Sequence, residues 1–279
     1  LFRVDLFEFT HEAPNPAPTL GSLDNGTLRI HAGPNAGDRA FVNTEDGGEN
    51  FVLSGRDGVV DVVFADAYHT RFEGVQRVVV ELGEGRDVLD ASALFDVPIH
   101  VDGGAGDDRI LLGDAGGLAR GGSGNDELTA RSGSLAAVTL EGGDGDDVLT
   151  GAGGDDTLIA GLGENVLLGG LGANTFYASN GVNRLVAGGD RDRYFLVDGI
   201  GANRIEDPEG KELLFSGEPP DLDAIFGFRQ PFAMARTFAM PFGGPMAFRS
   251  FAAPMALAAP ASFAAPMAFS ALAVEPEPP

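Results

Sequence analysis

Residues 142–195 read GGDGDDVLT, GAGGDDTLI, AGLGENVLL, GGLGANTFY, ASNGVNRLV and AGGDRDRYF, six units of nine residues in direct succession. Glycine recurs at the first, second and fourth positions, an acid or amide at the sixth, and an apolar residue at the eighth. A fixed short period of this kind is typical of repeat architectures in which each unit stacks on the next. The stretch therefore predicts a stack of short β-strands, with one strand in each unit.

Three further units lie upstream: LGEGRDVLD (82–90), GGAGDDRIL (103–111) and GGSGNDELT (121–129). Glycine permits a tight turn with positive φ and lets the carbonyl groups of one turn approach the next turn. The carboxylate at the sixth position is a hard oxygen ligand of the kind that Ca²⁺ prefers. The apolar eighth position is expected to point into the narrow core.

The pattern G-G-x-G-x-D-x-U-x, where U is apolar, resembles that of the repeats-in-toxin (RTX) family over residues 82–206. The resemblance implies an all-β chain built as a right-handed parallel β-solenoid, the RTX-type β-roll, with two nonapeptides in each coil. It also implies that Ca²⁺ is the cofactor and is shared between neighbouring coils. Irregular β coils are expected before the roll, and an extended, non-globular tail after it.

Two twelve-residue segments, 91–102 and 130–141, interrupt the period. If each replaces a nonapeptide on one edge, the units beginning at 82, 103, 121, 142, 160 and 178 share the opposite edge, with coil lengths of 21, 18, 21, 18 and 18. The sixth positions then form one long metal ladder and one short ladder. The predicted calcium ligands on the long edge are Asp87, Asp108, Asp126, Asp147, Asn165 and Asn183, and those on the short edge are Asp156, Asn174 and Asp192.

The alternative for the aspartate units is a solvated acidic turn that binds no metal, but stacked carboxylates without a counterion repel each other strongly. For Asn165, Asn174 and Asn183 both interpretations stay open. Asparagine tolerates left-handed turns and can form a hydrogen-bonded ladder without metal. Any calcium bound there would be held more weakly, because the number of charged ligands helps to set affinity.

The flanks divide the chain into a β-strand region at 1–81 (a solenoid extension or a cap), the calcium-binding roll at 82–206, a capping strand or linker at 207–223, and a tail at 224–279. The segment Val78–Glu81 matches the strands that end the twelve-residue segments, so the solenoid is expected to begin before residue 82. The stretch Gly33–Val42 resembles a degenerate repeat with Asp38 in the ligand position. Lys211–Phe215 could pair as a capping strand.

The formal net charge is −24, from 42 acidic and 18 basic residues. Such a charge disfavours nucleic acid and anionic lipid as partners and favours cations. The chain has no cysteine, which excludes disulfides and thiolate metal ligands. No run of 18 apolar residues occurs, so no membrane span is expected. The tail is rich in Ala, Phe, Pro and Met, and two interpretations stay open: a disordered secretion or processing segment, or a segment whose Phe and Met side chains interact with another surface.

The common catalytic motifs are incomplete or absent in this sequence. His11-Glu12 is not followed by the second histidine of a zincin helix, Gly210-Lys211 lacks a P-loop's Ser or Thr, and there is no G-x-S-x-G elbow. We therefore expect a secreted, extracellular or surface-associated structural protein rather than an enzyme, which folds on calcium and self-associates or joins a surface assembly through residues 224–279. The alternative is an RTX module of a secreted enzyme or adhesin, for example a carbohydrate-active β-helix.

Overall fold

A computed structural model describes residues 18–40, 42–178, 181–189, 191–196, 203–206 and 213–215. Its regular structure is almost entirely β, apart from one 3₁₀ helix at Gly33–Asp38. The strands are β1 (Gly21–Asp24), β2 (Thr27–Ile30), β3 (Asn50–Arg56), β4 (Val59–Phe64), β5 (Tyr68–Glu73), β6 (Arg77–Glu84), β7 (Val88–Leu94), β8 (Ile99–Ala105), β9 (Arg109–Leu111), β10 (Gly117–Ser123), β11 (Glu127–Thr129), β12 (Val138–Asp144), β13 (Val148–Thr150), β14 (Thr157–Leu162), β15 (Val166–Gly170), β16 (Thr175–Ala178), β17 (Arg184–Ala187), β18 (Arg193–Leu196), β19 (Arg204–Glu206) and β20 (Leu213–Phe215).

The strands form two sheets of ten strands each. From β6 onward they alternate between the sheets: one holds β6, β8, β10, β12, β14, β16, β18 and β20 in order, and the other holds β7, β9, β11, β13, β15, β17 and β19. Neighbours within these series are parallel. Two successive strands therefore make one coil, and the predicted all-β parallel solenoid is confirmed.

The strand register confirms the predicted alternation of longer and shorter coils. Val78 pairs with Ile99, Ile99 pairs with Gly117, and Gly117 pairs with Val138. The hydrogen bonds between sixth positions have the same spacing. They join residues 21 apart from Asp87 to Asp108 and residues 18 apart from Asp108 to Asp126. Because the extra residues leave the register of the repeats unchanged, the sixth positions stay in one column.

The core consists of apolar side chains that both sheets contribute between them. The eighth-position residues are all almost fully buried: Leu89, Ile110, Leu128, Leu149, Leu158, Leu167, Phe176, Leu185 and Tyr194. Near the carboxyl end of the core the rings of Phe176 and Tyr194 stack with centroids 5.1 Å apart. Each such buried side chain contributes about 1.5–3 kcal/mol relative to exposure, so the core accumulates its stability coil by coil.

The amino-terminal region both extends the solenoid and ends it. Strand β6 pairs with β8 as predicted from Val78–Glu81, and β2 and β3 continue the two sheets by one more coil. Beyond them β1 pairs antiparallel with β2, while β4 and β5 add antiparallel strands to β3. These antiparallel additions close the end of the parallel stack.

The interpretation of Gly33–Val42 as a degenerate repeat was wrong. Residues 33–38 form the 3₁₀ helix, which Pro34 favours at its start, and Asp38 is exposed. The unit that completes the first coil is instead TEDGGENFV, residues 44–52. Its Phe51 pairs with Leu89 in the eighth-position row. Residues 34–43 precede this unit as an insertion into the turn of the first coil.

At the carboxyl end β19 pairs with β17, and β20 pairs with β18, as expected for a capping strand at 211–215. The predicted tail, 224–279, and the linker residues 216–223 lie outside the described residues. Among the residues that the structure describes, no helix is long and apolar enough to span a membrane.

The stacked turns give a test of the packing. Gly143 has φ of 119°, and a Cβ there would overlap the carbonyl oxygen of Gly122 in the preceding coil. Gly133 has φ of 82° but has nothing within 4 Å of an added Cβ. Both changes to alanine strain the backbone by about 1–2 kcal/mol. Only Gly143→Ala also forces two coils apart, and we expect it to lower the free energy of unfolding by about 2 kcal/mol more than Gly133→Ala in denaturant titrations with calcium. Equal losses would contradict the close stacking of the turns.

Candidate metal centre

The sixth-position side chains form a column of hydrogen bonds along one edge. Oδ1 of Asp108 accepts the backbone N–H of Asp87 at 2.9 Å, and Oδ1 of Asp126 accepts that of Asp108 at 2.8 Å. Oδ1 of Asp147 continues the series with the N–H of Asp126 at 2.8 Å. Each side chain therefore holds the backbone of the coil before it, which satisfies a buried donor that the turn would otherwise leave unpaired.

The second carboxylate oxygen of these residues has no such partner. Oδ2 is buried and makes no hydrogen bond in Asp87, Asp108, Asp126 and Asp147. The four residues are at most 2% exposed. A buried ionised oxygen without a partner is costly, and it is stabilised by a proton or a cation.

In the units that begin at 103, 121 and 142, the first glycine provides the space for this free oxygen. A Cβ on Gly103 would come within 2.5 Å of Oδ2 of Asp108. Added Cβ atoms on Gly121 and Gly142 would overlap the corresponding oxygens of Asp126 and Asp147. Glycine is therefore required here because a larger residue would overlap the buried oxygen, and a carboxylate oxygen of this kind suits a small cation.

The raised pKa values of the aspartates in the column also favour a bound cation. Burial, with the charges of Asp87, Asp126 and Asp107 added, raises the pKa of Asp108 to about 7 even though its hydrogen bond lowers it. Burial likewise raises the pKa of Asp87 to about 7 and the pKa values of Asp126 and Asp147 to about 6. Shifts of this size correspond to about 3–4 kcal/mol of destabilisation for each carboxylate ionised without a counterion.

A second series of hydrogen bonds joins the same turns at the exposed fifth positions. Oδ1 of Asp107 accepts the N–H of Asn125, Oδ1 of Asn125 accepts that of Asp146, each at 2.9 Å, and Oδ1 of Asp146 accepts that of Glu164 at 2.8 Å. These fifth-position side chains bond the coil that follows, whereas the sixth-position side chains bond the coil that precedes. Sequence reasoning did not identify this ladder, although the recurrence of Asp or Asn at the fifth position was its signal.

The remaining predicted ligands lie in register but have different partners. On the long edge Nδ2 of Asn165 donates to Oδ1 of Asn183 at 3.0 Å, and Nδ2 of Asn183 donates to Oδ1 of Asn203 at 2.8 Å. Nδ2 of each asparagine therefore takes the place of the free Oδ2 in the aspartate coils, and it donates a hydrogen bond instead of accepting one. These coils form an amide ladder whose side chains satisfy one another.

The short edge also forms a column. Oδ1 of Asp156, Asn174 and Asp192 accepts the N–H of Val138, Asp156 and Asn174 respectively, at 2.7–3.0 Å. Oδ2 of Asp156 accepts the N–H of Ala152 at 2.9 Å, so both of its oxygens are bonded. Burial raises the pKa of Asp156, although these two hydrogen bonds lower it. Asn174 donates to the carbonyl oxygens of Gly170 and Leu171.

Comparison with protein families identifies the repeats. The family described as RTX calcium-binding nonapeptide repeat (4 copies) matches residues 118–134, 139–167 and 159–194. The solenoid carries RTX repeats. Comparison with curated proteins finds no match. RTX nonapeptide repeats bind calcium, so Ca²⁺ is the cation that this column fits.

Within the solenoid Asp87, Asp108, Asp126 and Asp147 could hold calcium, and two of them, Asp126 and Asp147, lie in the stretches that match RTX repeats. No group of three or more acidic or histidine side chains that could hold a metal occurs in the described ranges. Single carboxylates and the carbonyl groups of the stacked turns would therefore supply the ligands together. Bound there, Ca²⁺ would neutralise the buried charge of neighbouring coils. Sequence reasoning missed Glu49, which occupies the sixth position of the RTX-like unit 44–52.

Proposed function

We propose that this chain is a secreted, non-catalytic structural protein whose RTX solenoid orders when it binds calcium outside the cell. The observation that carries the proposal is the set of four buried carboxylates in register, each with one oxygen that no protein group satisfies. RTX repeats are also typical of secreted proteins.

The balance of free energies supports coupling between calcium binding and folding. Four carboxylates ionised without a counterion would cost on the order of 10 kcal/mol, which equals the whole stability of an ordinary domain. Extracellular calcium modules bind with Kd of roughly 10⁻⁴–10⁻³ M. At twenty times Kd, calcium stabilises the folded state by about 1.8 kcal/mol per site, or about 7 kcal/mol for four sites, a total that includes the relief of the carboxylate repulsion. The chain is therefore expected to be disordered where calcium is scarce and folded where it is millimolar.

The test is a calcium titration against EGTA with the full chain at neutral pH. Far-UV circular dichroism is expected to show a cooperative gain of β signal, and calorimetry should show calcium uptake over the same range. A β signal that is unchanged in EGTA would contradict calcium-coupled folding. Turnover of a polysaccharide by the folded chain would contradict the non-catalytic assignment and favour the enzyme-module alternative.

The second part of the proposal concerns residues 224–279, which we propose join copies of the chain to one another or to a larger surface assembly. Their content of Phe and Met suits an interaction surface better than a solvated linker. Removing residues 224–279 is expected to convert an assembled species into a monomer in sedimentation velocity with calcium present, without changing the β signal. An unchanged sedimentation coefficient, after correction for mass, would contradict this role.

A further inference from the structure

The amino-terminal end of the long column differs from the rest. The backbone N–H of Glu49 donates to Oδ1 of Asp87 at 2.6 Å, and the N–H of Val88 donates to the carbonyl oxygen of Glu49 at 2.8 Å. These are the bonds that each aspartate makes in the later coils. Glu49 is therefore the first member of the column, and the longer side chain replaces aspartate at this one coil.

Glu49 has both of its carboxylate oxygens bonded to protein groups. Oε2 accepts the N–H of Gly33 at 3.0 Å, and Oε1 pairs with Nη2 of Arg39. The side chain of Arg39 is fully buried, and its guanidinium lies over the ring of Phe64 at 4.6 Å and near that of Phe51 at 5.8 Å. The first coil thus contains a permanent positive charge in its interior.

The same guanidinium acts on the first aspartate of the calcium series. The pKa of Asp87 is raised by burial and by Asp46 but lowered by Arg39. Burial lowers the pKa of Arg39, and the charges of Asp46 and Asp87 partly oppose that shift. The insertion of residues 34–43 into the turn is what brings Arg39 to this position, because regular nonapeptides have no residue there.

We infer that Arg39 is the resident cation of the first coil and takes the charge-neutralising role there that calcium takes in the aspartate coils. The coil made by β2, β3 and β6 then folds without calcium. It presents a formed edge on which the strands from β7 onward add as calcium binds. In a stack where each unit contacts only its neighbours, a preformed terminal unit removes the cost of nucleation. The inference rests on the proposed calcium-coupled folding.

Hydrogen exchange of the full chain in EGTA at neutral pH tests the inference. The amides of β3 and β6 are expected to stay protected in EGTA, while those of β11 and β13 exchange at least 100-fold faster than in calcium. The variant Arg39→Met keeps an apolar stem against the two rings but removes the charge. It is expected to lower the protection of β3 and β6 in EGTA by at least 100-fold, and calcium should restore it at least in part.

Two further variants separate charge from packing. Arg71→Met is the matched control, because Arg71 is a half-exposed arginine of β5 paired with Asp61, and it should leave protection unchanged. Combining Arg39→Met with Glu49→Gln and Asp87→Asn removes the three buried charges together, and it is expected to recover most of the lost protection in EGTA. Protection unaffected by Arg39→Met, or not recovered in the combined variant, would overturn the inference.

The wild-type chain alone distinguishes the two ideas. If β3 and β6 exchange in EGTA as fast as β11 and β13, the inference fails and calcium-coupled folding stands. If β11 and β13 remain protected in EGTA, the proposed function fails and the inference fails with it.

Discussion

Replacing Asp108, Asp126 and Asp147 together by asparagine is expected to leave the solenoid folded in EGTA at neutral pH and to remove calcium binding from those coils. In the wild-type structure Oδ1 of each residue accepts a backbone N–H, while Oδ2 is buried without a partner. Asparagine keeps the acceptor and replaces the free oxygen with a donor. The chain already contains this arrangement, since Nδ2 of Asn165 donates to Oδ1 of Asn183.

The expected effect is large because three buried charges are removed at once. Each is associated with about 3–4 kcal/mol of destabilisation in the calcium-free state, so the variant should gain on the order of 10 kcal/mol in EGTA. Circular dichroism in EGTA measures the gain, and calorimetric titration with calcium measures the lost sites.

The matched control is the same triple replacement by alanine. Alanine removes the charge but also removes the acceptor, which leaves buried N–H groups unpaired at about 1–3 kcal/mol each. We expect this variant to be less stable than the asparagine variant both with and without calcium. An asparagine variant that stays unfolded in EGTA would show that buried charge is not what prevents the calcium-free solenoid from folding.

Lowering the pH from 7.5 to 5.0 in EGTA is expected to induce β structure that the wild-type chain lacks at neutral pH. The pKa values of Asp87 and Asp108 are raised to about 7 in the folded state, and those of Asp126 and Asp147 to about 6. The pKa of aspartate in an unfolded chain is about 3.9. Between these values the folded state binds more protons than the unfolded state, so its stability falls as the pH rises.

This linkage gives the sign and the size of the change in stability with pH. Stability from the raised pKa values is fully present below about pH 4 and is lost as the pH rises through 6 to 7. Between pH 7.5 and 5.0 the gain is about 2.5 kcal/mol for each of the two upper groups and about 1.4 kcal/mol for each of the others, on the order of 8 kcal/mol together. Calcium should bind more weakly at the lower pH, because protons compete for the same oxygens.

Circular dichroism of dilute protein between pH 7.5 and 5.0 checks the effect, with sedimentation to exclude association near the isoelectric point. The asparagine triple variant is the control, and its β signal in EGTA should depend far less on pH. A wild-type signal that falls on acidification would contradict the raised pKa values.

The solenoid and its register could be predicted from the sequence because the physics of a repeat is local. The residues of each nonapeptide predict its own turn and strand, and the positions of the two twelve-residue segments indicate which edge carries the insertions. The alternation of coils in which equivalent residues lie 21 and 18 apart therefore followed from the spacing together with the two nonapeptides per coil that the family resemblance implied. The position of each sixth residue in its column followed in the same way.

The amino-terminal coil could not be predicted in this way, because its turn is interrupted and its key residues act over long separations in sequence. Gly33–Val42 imitates a repeat, whereas the true unit begins at residue 44 and carries Glu49 where aspartate is expected. The sequence also did not indicate which of the predicted ligands keep an unpartnered carboxylate oxygen. Asp126 and Asp156 occupy equivalent positions in their repeats, but Oδ2 of Asp156 accepts the N–H of Ala152 in its own nonapeptide, whereas Oδ2 of Asp126 has no partner.

The short rise of each coil has a mechanical consequence. Thr157 and Thr175 are paired in adjacent coils, and the sixth positions of these coils, Asp156 and Asn174, lie 18 apart in sequence. The coil advances along the stack only by the separation of paired strands, about 4.8 Å, whereas the same length of chain fully extended spans up to about 60 Å. An ordered coil therefore spans less than a tenth of the distance that the same residues span when fully extended. A chain fixed at both ends would pull its attachment points together as calcium rises. Because folding is expected to be cooperative, the length of such a tether would fall over the same calcium range in which the β signal rises.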